Sequence, residues 1–172
     1  WVDFLRIRHC RRSFIEARAD GETLSIIAHG PQVHVMAFEI FVLAIVNELY
    51  FRRSDQDAAI AEGRKRLAAK IKRVQSLADE PPMLNPFEMF DFGVRRRFSG
   101  AWQREVVQAF AEQTPQWFKG TSNVLLARDM NLVPIGTMAH EYLQTYQALG
   151  VRLRDFQKYA LEDWVQEYRG DL

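Results

Sequence analysis

Apolar and polar positions first alternate at Ile15, Ala17, Leu24 and Ile26, on either side of Asp20-Gly21-Glu22. Period-two alternation around an Asp-Gly pair predicts a β-hairpin, with strands over residues 14–19 and 23–28. His29-Gly30-Pro31 reads as a turn, and residues 33–36 as a further short strand. The pattern then changes. Residues 38–53 are apolar on nearly every side, which predicts a helix packed all round. The longest apolar run, 35–46, contains Glu39 and is followed by Asn47 and Glu48. A membrane span needs about 20 apolar residues with few charges, so this run is a buried helix and no membrane partner is expected. Residues 55–78 predict a second helix. Ser54 is its N-cap, and Asp55 and Asp57 fall in the first turn, where the dipole favours negative charge. Residues 79–86 carry three prolines and read as a linker.

Beyond the linker the grammar is different. An apolar strand over 87–92 ends at Gly93, and a helix follows over 101–113. A short strand ends at Trp117 and Phe118, and Gly120-Thr121 opens a helix over 122–130. A strand over 132–135 leads to Gly136-Thr137, which opens a helix over 138–149, and a last helix runs over 153–169. Strands alternating with helices predict parallel βα units. The expected fold class is α/β: a small antiparallel β unit and helices over 1–86, then the first βα units of a parallel-stranded domain over 87–172.

Composition narrows this picture only a little. With 172 residues and 48% hydrophobic content the chain reads as globular, which excludes disorder and collagen-like structure. Lys and Arg number 23 and Asp and Glu 22, and neither half is strongly basic or acidic. Bulk electrostatics therefore gives no case for a nucleic-acid partner. The basic cluster from Arg64 to Arg73 reads first as a solvated helix face, with an RNA-binding face as the minor reading. A single cysteine, Cys10, cannot form an internal disulfide, and it suits a reducing, cytoplasmic compartment. His9, His29 and His34 do not match a zinc spacing, and no metal ligands are identified. The chain starts at Trp1 and stops at Gly170-Asp171-Leu172 directly after a helical pattern. Both ends read as cuts, which makes this an internal slice of a longer protein.

Three strand ends carry the candidate chemistry. Gly120-Thr121-Ser122-Asn123 and Gly136-Thr137-Met138-Ala139-His140 share the order strand, Gly-Thr, helix. Glycine allows a sharp turn and close backbone approach, and threonine is a good N-cap. Each segment therefore offers a helix N-terminus as an anion site, on the strand-end rim where parallel βα folds bind ligands. His140 falls in the first turn, where the dipole disfavours imidazolium and a neutral ring can act as nucleophile or base. A histidine that merely hydrogen-bonds at a helix start fits the same residues. In Asp91-Phe92-Gly93-Val94-Arg95-Arg96-Arg97 the three arginines cannot all face one way. One pointing into the rim suits a carboxylate or phosphate, while a salt-bridged surface run is the plain alternative. Phe92 could stack on a flat ring. The set suits a planar aromatic acid beside phosphates.

The same residues resemble the nicotinate phosphoribosyltransferase family. Asp91 to Arg97 is similar to its FGxRR motif, Gly120 to Asn123 to its GTSN motif, and Gly136 to Glu141 to its GTxAHE motif, in family order and spacing. A weaker likeness extends back through Phe38-Glu39. The resemblance implies synthesis of nicotinate mononucleotide from nicotinate and phosphoribosyl pyrophosphate, coupled to ATP hydrolysis with Mg2+, in NAD biosynthesis. It implies an irregular α/β barrel of the type II phosphoribosyltransferase kind, present here in part, and a homodimer in the full-length enzyme. It also implies that His140 becomes a phosphohistidine and that Phe92 stacks on the pyridine ring. Arg95, Ser122 and Thr137 would lie near the ring and its carboxylate, with Arg96, Thr121 and Gly136 at phosphates or in support. A nicotinamide-using relative family carries an acidic residue where this chain has Ser122. An Asp there would accept from an amide NH2 and repel a carboxylate, so nicotinate is the expected substrate.

The family's N-terminal tyrosine segment and later barrel strands are missing from this sequence. The alternatives are therefore a catalytically inactive fragment serving at most as an interaction module, or a nicotinamide-using relative.

Overall fold

The computed structural model describes residues 15–79 and 87–169. His9, Cys10, Phe14, residues 80–86 of the proline linker, the chain end at 170–172 and the side chain of His34 lie outside the described residues. The chain divides into two compact units, Trp1–Ile135 and Gly136–Leu172.

The first unit opens with the hairpin. Strands β1 (Ile15–Asp20) and β2 (Thr23–Ala28) pair antiparallel, with Asp20 opposite Thr23. Gly21 and Glu22 form the two-residue turn. Gly21 has φ +56° and Glu22 does not have a positive φ, the sign pattern of a type II′ turn, in which glycine takes the first central position. The expected strand at 33–36 is instead one helical turn, α1 (Gln32–Val35). Its Val35 N–H donates to the carbonyl of Pro31 at 3.2 Å. The β-branched residues alone suggested a strand, but among the described residues no third strand joins β1 and β2, so the backbone satisfies itself locally.

Helix α2 (Phe38–Phe51) forms where the apolar pattern put it. It is not packed all round: Ala44 is buried, while Phe41 is 56% and Tyr50 71% exposed. A helix hides every face only when neighbours cover every face. Here the hairpin lies along one side, with a cavity of about 490 Å³ between Leu24 and Ile26 of β2 and Val42 and Leu43 of α2. No helix among the described residues is long and apolar enough to cross a membrane.

Helix α3 (Gln56–Gln75) starts one residue later than its pattern suggested. Asp55, not Ser54, is the N-cap, accepting from Ala58 N–H at 3.1 Å. The Ser54 hydroxyl donates to the carbonyl of Phe51 at 2.6 Å, closing off α2 instead. Two of the basic residues of α3 are paired with carboxylates: Arg64 with Glu105 at 2.6 Å and Arg66 with Glu62 at 2.8 Å.

Strands β3 (Met89–Asp91), β4 (Phe118–Thr121) and β5 (Val133–Pro134) form a parallel sheet in that order. Helix α4 (Gly100–Gln113) connects β3 to β4, and α5 (Val124–Asp129) connects β4 to β5. Val107 on α4, Phe118 on β4 and Leu126 on α5 form the buried core, with Met89, Phe110 and Leu132 packed against it. Gly120 is required at its place in β4. A Cβ there would stand 2.1 Å from the Val133 carbonyl oxygen and 2.8 Å from Ile135 Cγ1. The close approach is thus by β5, where the sequence had suggested a ligand.

The second unit contains α6 (His140–Ala148), a short 3-10 turn over Leu153–Asp155 and α7 (Phe156–Tyr168). Tyr142 packs edge-on against Trp164 and donates to the Ala160 carbonyl at 2.8 Å. The Tyr146 hydroxyl donates to Asp163 at 2.5 Å, and this bond holds its pKa well above the ordinary phenol value.

Candidate functional site

In the first unit, the carboxyl ends of β3 and β4 lie side by side, with Asp91 opposite Thr121 in the parallel register. Phe92 and Ser122 are the next residue on each chain. Phe92 is 49% exposed and Ser122 half-buried. The Ser122 N–H donates to the Asp91 carbonyl at 2.8 Å, extending the pairing beyond the strand ends.

Beneath these two residues lies a polar network. Asp91 accepts from Gly93 N–H at 3.0 Å through one oxygen. Its other oxygen accepts from Gln103 Nε2 at 2.8 Å and from the Thr121 hydroxyl at 2.7 Å. The Thr121 hydroxyl oxygen in turn accepts from Asn123 N–H at 3.0 Å. Gln103 Oε1 accepts from Asn123 Nδ2 at 3.1 Å. Thr121 and Gln103 are buried. Such a network is stabilising only when its members are satisfied, as these four are.

The arginine run divides as a crowded turn must. Residues Val94–Arg96 form a 3-10 turn against α2. Arg95 donates to Glu39 at 2.5 Å, and its carbonyl accepts from Asn47 at 2.7 Å. Arg97 reaches Glu48 and Gln103, both at 3.5 Å. Arg96 is exposed and borders a cavity of about 320 Å³ with Phe51, Arg97, Phe98, Trp102 and Val106. The salt-bridged reading therefore holds for Arg95 and Arg97.

The Gly-Thr segments are built differently from the sequence expectation. Gly120 and Thr121 belong to β4, and Thr121 does not cap the following helix. Asn123 is the N-cap of α5, its side chain accepting from Leu126 N–H at 3.3 Å. The Thr121 hydroxyl is unavailable for capping because Asp91 and Asn123 N–H engage it. In the second unit, Gly136 and Thr137 are exposed and precede α6 by several residues. Ala139 stands at the N-cap without a side-chain hydrogen bond, so Thr137 is no cap either. His140 is the first residue of α6, not the third. It is 56% exposed at its side chain, with Nε2 3.3 Å from Glu141 Oε1. Among the described residues, neither unit by itself gathers three His, Cys, Asp or Glu side chains able to share a metal ion.

The second half of the chain, residues 87–172, matches the model of the nicotinate phosphoribosyltransferase (NAPRTase) family. The chain belongs to the nicotinate phosphoribosyltransferase family. Over all 172 residues it is 64% identical to a nicotinate phosphoribosyltransferase of Herminiimonas arsenicoxydans. An Acinetobacter baylyi nicotinate phosphoribosyltransferase is 57% identical over the whole chain. The fold agrees with solved nicotinate phosphoribosyltransferases. The Vibrio cholerae structure superposes with TM-score 0.69 at 34% identity, covering 90% of this chain and 36% of that one. The Porphyromonas gingivalis structure gives 0.73 at 27% identity, covering 93% and 39%. The chain spans 43% of the length of the curated relatives it matches.

Within this chain, the expected site residues fall in both units. Phe92, Arg95, Arg96, Thr121 and Ser122 lie in the first, and Gly136, Thr137 and His140 in the second. Sequence reasoning missed Gln103, Glu39 and Glu48, and it gave Asp91 and Asn123 no role of their own. The signal for Gln103 was faint: a polar residue on the face of α4 that also carries Val107, one turn further on.

Proposed function

We propose that the full-length protein carrying this chain is a nicotinate phosphoribosyltransferase. It joins nicotinate to the ribose phosphate of phosphoribosyl pyrophosphate, coupled to ATP hydrolysis, in NAD biosynthesis. The observation that carries this reading is the match of the whole chain to relatives bearing that name, at 64% and 57% identity. Phe92 is the face for the pyridine ring, and Arg95, Ser122 and Thr137 bind the ring and its carboxylate. Arg96, Thr121 and Gly136 serve phosphates or support the rim. The buried, doubly bonded Thr121 hydroxyl favours support for that residue. Arg95 pairs with the Glu39 carboxylate at 2.5 Å, so the guanidinium at this position is placed where it can hold a carboxylate.

His140 is the phosphoryl acceptor. Its exposed imidazole at the start of α6 fits the role, because the free N–H groups of a first turn favour a phosphoryl group. A ring nitrogen would attack the γ-phosphorus of ATP, and ADP would leave. Mg2+ fits as a companion of the substrate phosphates rather than the occupant of a protein cage. The functional enzyme is a cytoplasmic homodimer in this reading.

The test is a product assay with nicotinate or nicotinamide, phosphoribosyl pyrophosphate and ATP on the full-length protein. Nicotinate mononucleotide is the expected product, and comparable turnover of nicotinamide would sink the assignment. His140→Ala should abolish labelling from γ-labelled ATP, and retained label would refute the role of His140.

A further inference from the structure

The Asp91 network spans three segments distant in sequence, and no candidate ligand contact is needed to explain any of its bonds. Asp91 ends β3, Thr121 ends β4, and Gln103 lies in α4 between them. The Asp91 carboxylate fixes the N–H of Gly93, and the Asp91 backbone carbonyl fixes the N–H of Ser122. Phe92 is thus held on both flanks by one residue. Ser122 is held by the same residue, and Thr121 before it by the carboxylate. Gln103 is 3% exposed and Thr121 0%, so water does not compete with their bonds to Asp91.

We propose that Asp91 is a positioning residue: its carboxylate, clasped by Gln103 and Thr121, sets the placement of Phe92 against Ser122 and so governs the binding of the flat aromatic acid. This rests on the reading of Phe92 and Ser122 as substrate contacts. Carboxylate chemistry is needed because Asp91 accepts three hydrogen bonds and donates none. An amide at position 91 would turn one NH2 toward a donor, either Gln103 Nε2, Thr121 Oγ1 or Gly93 N–H. Gln103 cannot simply flip in compensation, because its Oε1 already accepts from Asn123 and Arg97. The clasp bonds run among Asp91, Gly93, Gln103, Thr121 and Asn123, the residues that flank Phe92 and Ser122, so the effect should be confined to the ring side of the reaction.

The test uses the full-length protein with nicotinate, phosphoribosyl pyrophosphate and ATP. Wild-type turnover of nicotinate is measured first. Its absence would overturn the underlying functional reading, and this inference with it. With an active wild type, Asp91→Asn should raise KM for nicotinate about tenfold or more, since small misplacements of binding groups are costly. KM for ATP and labelling of His140 should stay within about twofold, because those interactions are not made by the clasp. Thr121→Val, which removes the hydroxyl's bond to Asp91 and the one it accepts from Asn123 N–H while keeping the side-chain shape, should raise KM for nicotinate in the same direction, and Thr121→Ser should restore it. Adding Gln103→Glu to Asp91→Asn should recover part of the loss, because a carboxylate at 103 can accept from the amides of Asn123 and of the new residue. The proposal is overturned if Asp91→Asn and Thr121→Val lower the melting temperature but leave KM for nicotinate unchanged. It is equally overturned if KM for every substrate rises alike. Thr121→Val and its Ser control keep the outcome readable if Asp91→Asn does not fold.

Discussion

Ser122 stands at the rim as a small neutral side chain whose backbone is fixed by Asp91. A carboxylate there would repel a ligand carboxylate and accept from a ligand amide. Ser122→Asp in the full-length enzyme should therefore shift the kcat/KM ratio of nicotinate to nicotinamide toward nicotinamide by about 10- to 100-fold, the scale of one misplaced charge. Steady-state kinetics with both substrates checks this. At the residue scale the motif positions were legible because they combine unusual types in order: glycine, threonine, arginine and histidine at strand ends. Their supports were not. Gln103 and Glu48 are polar residues within helices, and a polar residue in a helix reads as solvent-facing. Only partners 12 residues away for Gln103 and 49 for Glu48 reveal that Gln103 is buried and Glu48 half-buried.

Among elements, the long helices were legible because their apolar periodicity extends over several turns. Their ends were less so. Ser54 and Asp55 are both good capping residues, and which one caps depends on where the preceding helix ends. Here α2 ends at Phe51 and its carbonyl captures the Ser54 hydroxyl. Asp55→Ala should cost about 1 kcal/mol of stability, while Ser54→Ala should cost less because it leaves the α3 cap intact. Equilibrium denaturation of the two variants separates them. Thr121 and Thr137 repeat the lesson: a threonine before a helix reads as its cap, but Thr121 spends its hydroxyl across the sheet on Asp91. The one-turn α1 was misread because four residues are too few for periodicity to distinguish a strand from a helix.

For the molecule as a whole, the parallel order of β3, β4 and β5 followed from strands alternating with helices, since each crossover needs a helix's length of chain. What sequence did not show was the exposure of α2, because burial depends on neighbours that a periodic pattern cannot name. Ion pairs join the helices of the first unit. Arg104 on α4 and Arg128 hold Asp129 below the ordinary carboxylate range, chiefly through the Arg104 hydrogen bond, and Arg64 on α3 does the same to Glu105. A pKa depressed by folding adds stability that is complete above the unfolded value and lost as pH falls through the folded one. Both carboxylates should therefore titrate below their ordinary values in NMR, and stability should decline on acidification through that range. Both pairs are exposed, so the decline should be shallow. Arg104→Ala and Arg64→Ala should return Asp129 and Glu105 toward ordinary titration.

The carbonyl of Val133 occupies nearly the space that a Cβ on residue 120 would need. A survey of substitutions there, scored by product formation, would give Gly120 the profile of a ligand contact. Scored by the amount of folded protein that accumulates, the same survey would give the same profile. Each variant would be lost when β4 meets β5, before any substrate arrives. Intolerance at position 120 measures the gap between two strands; under the proposed function, the position that reports on chemistry stands two residues further along, at Ser122.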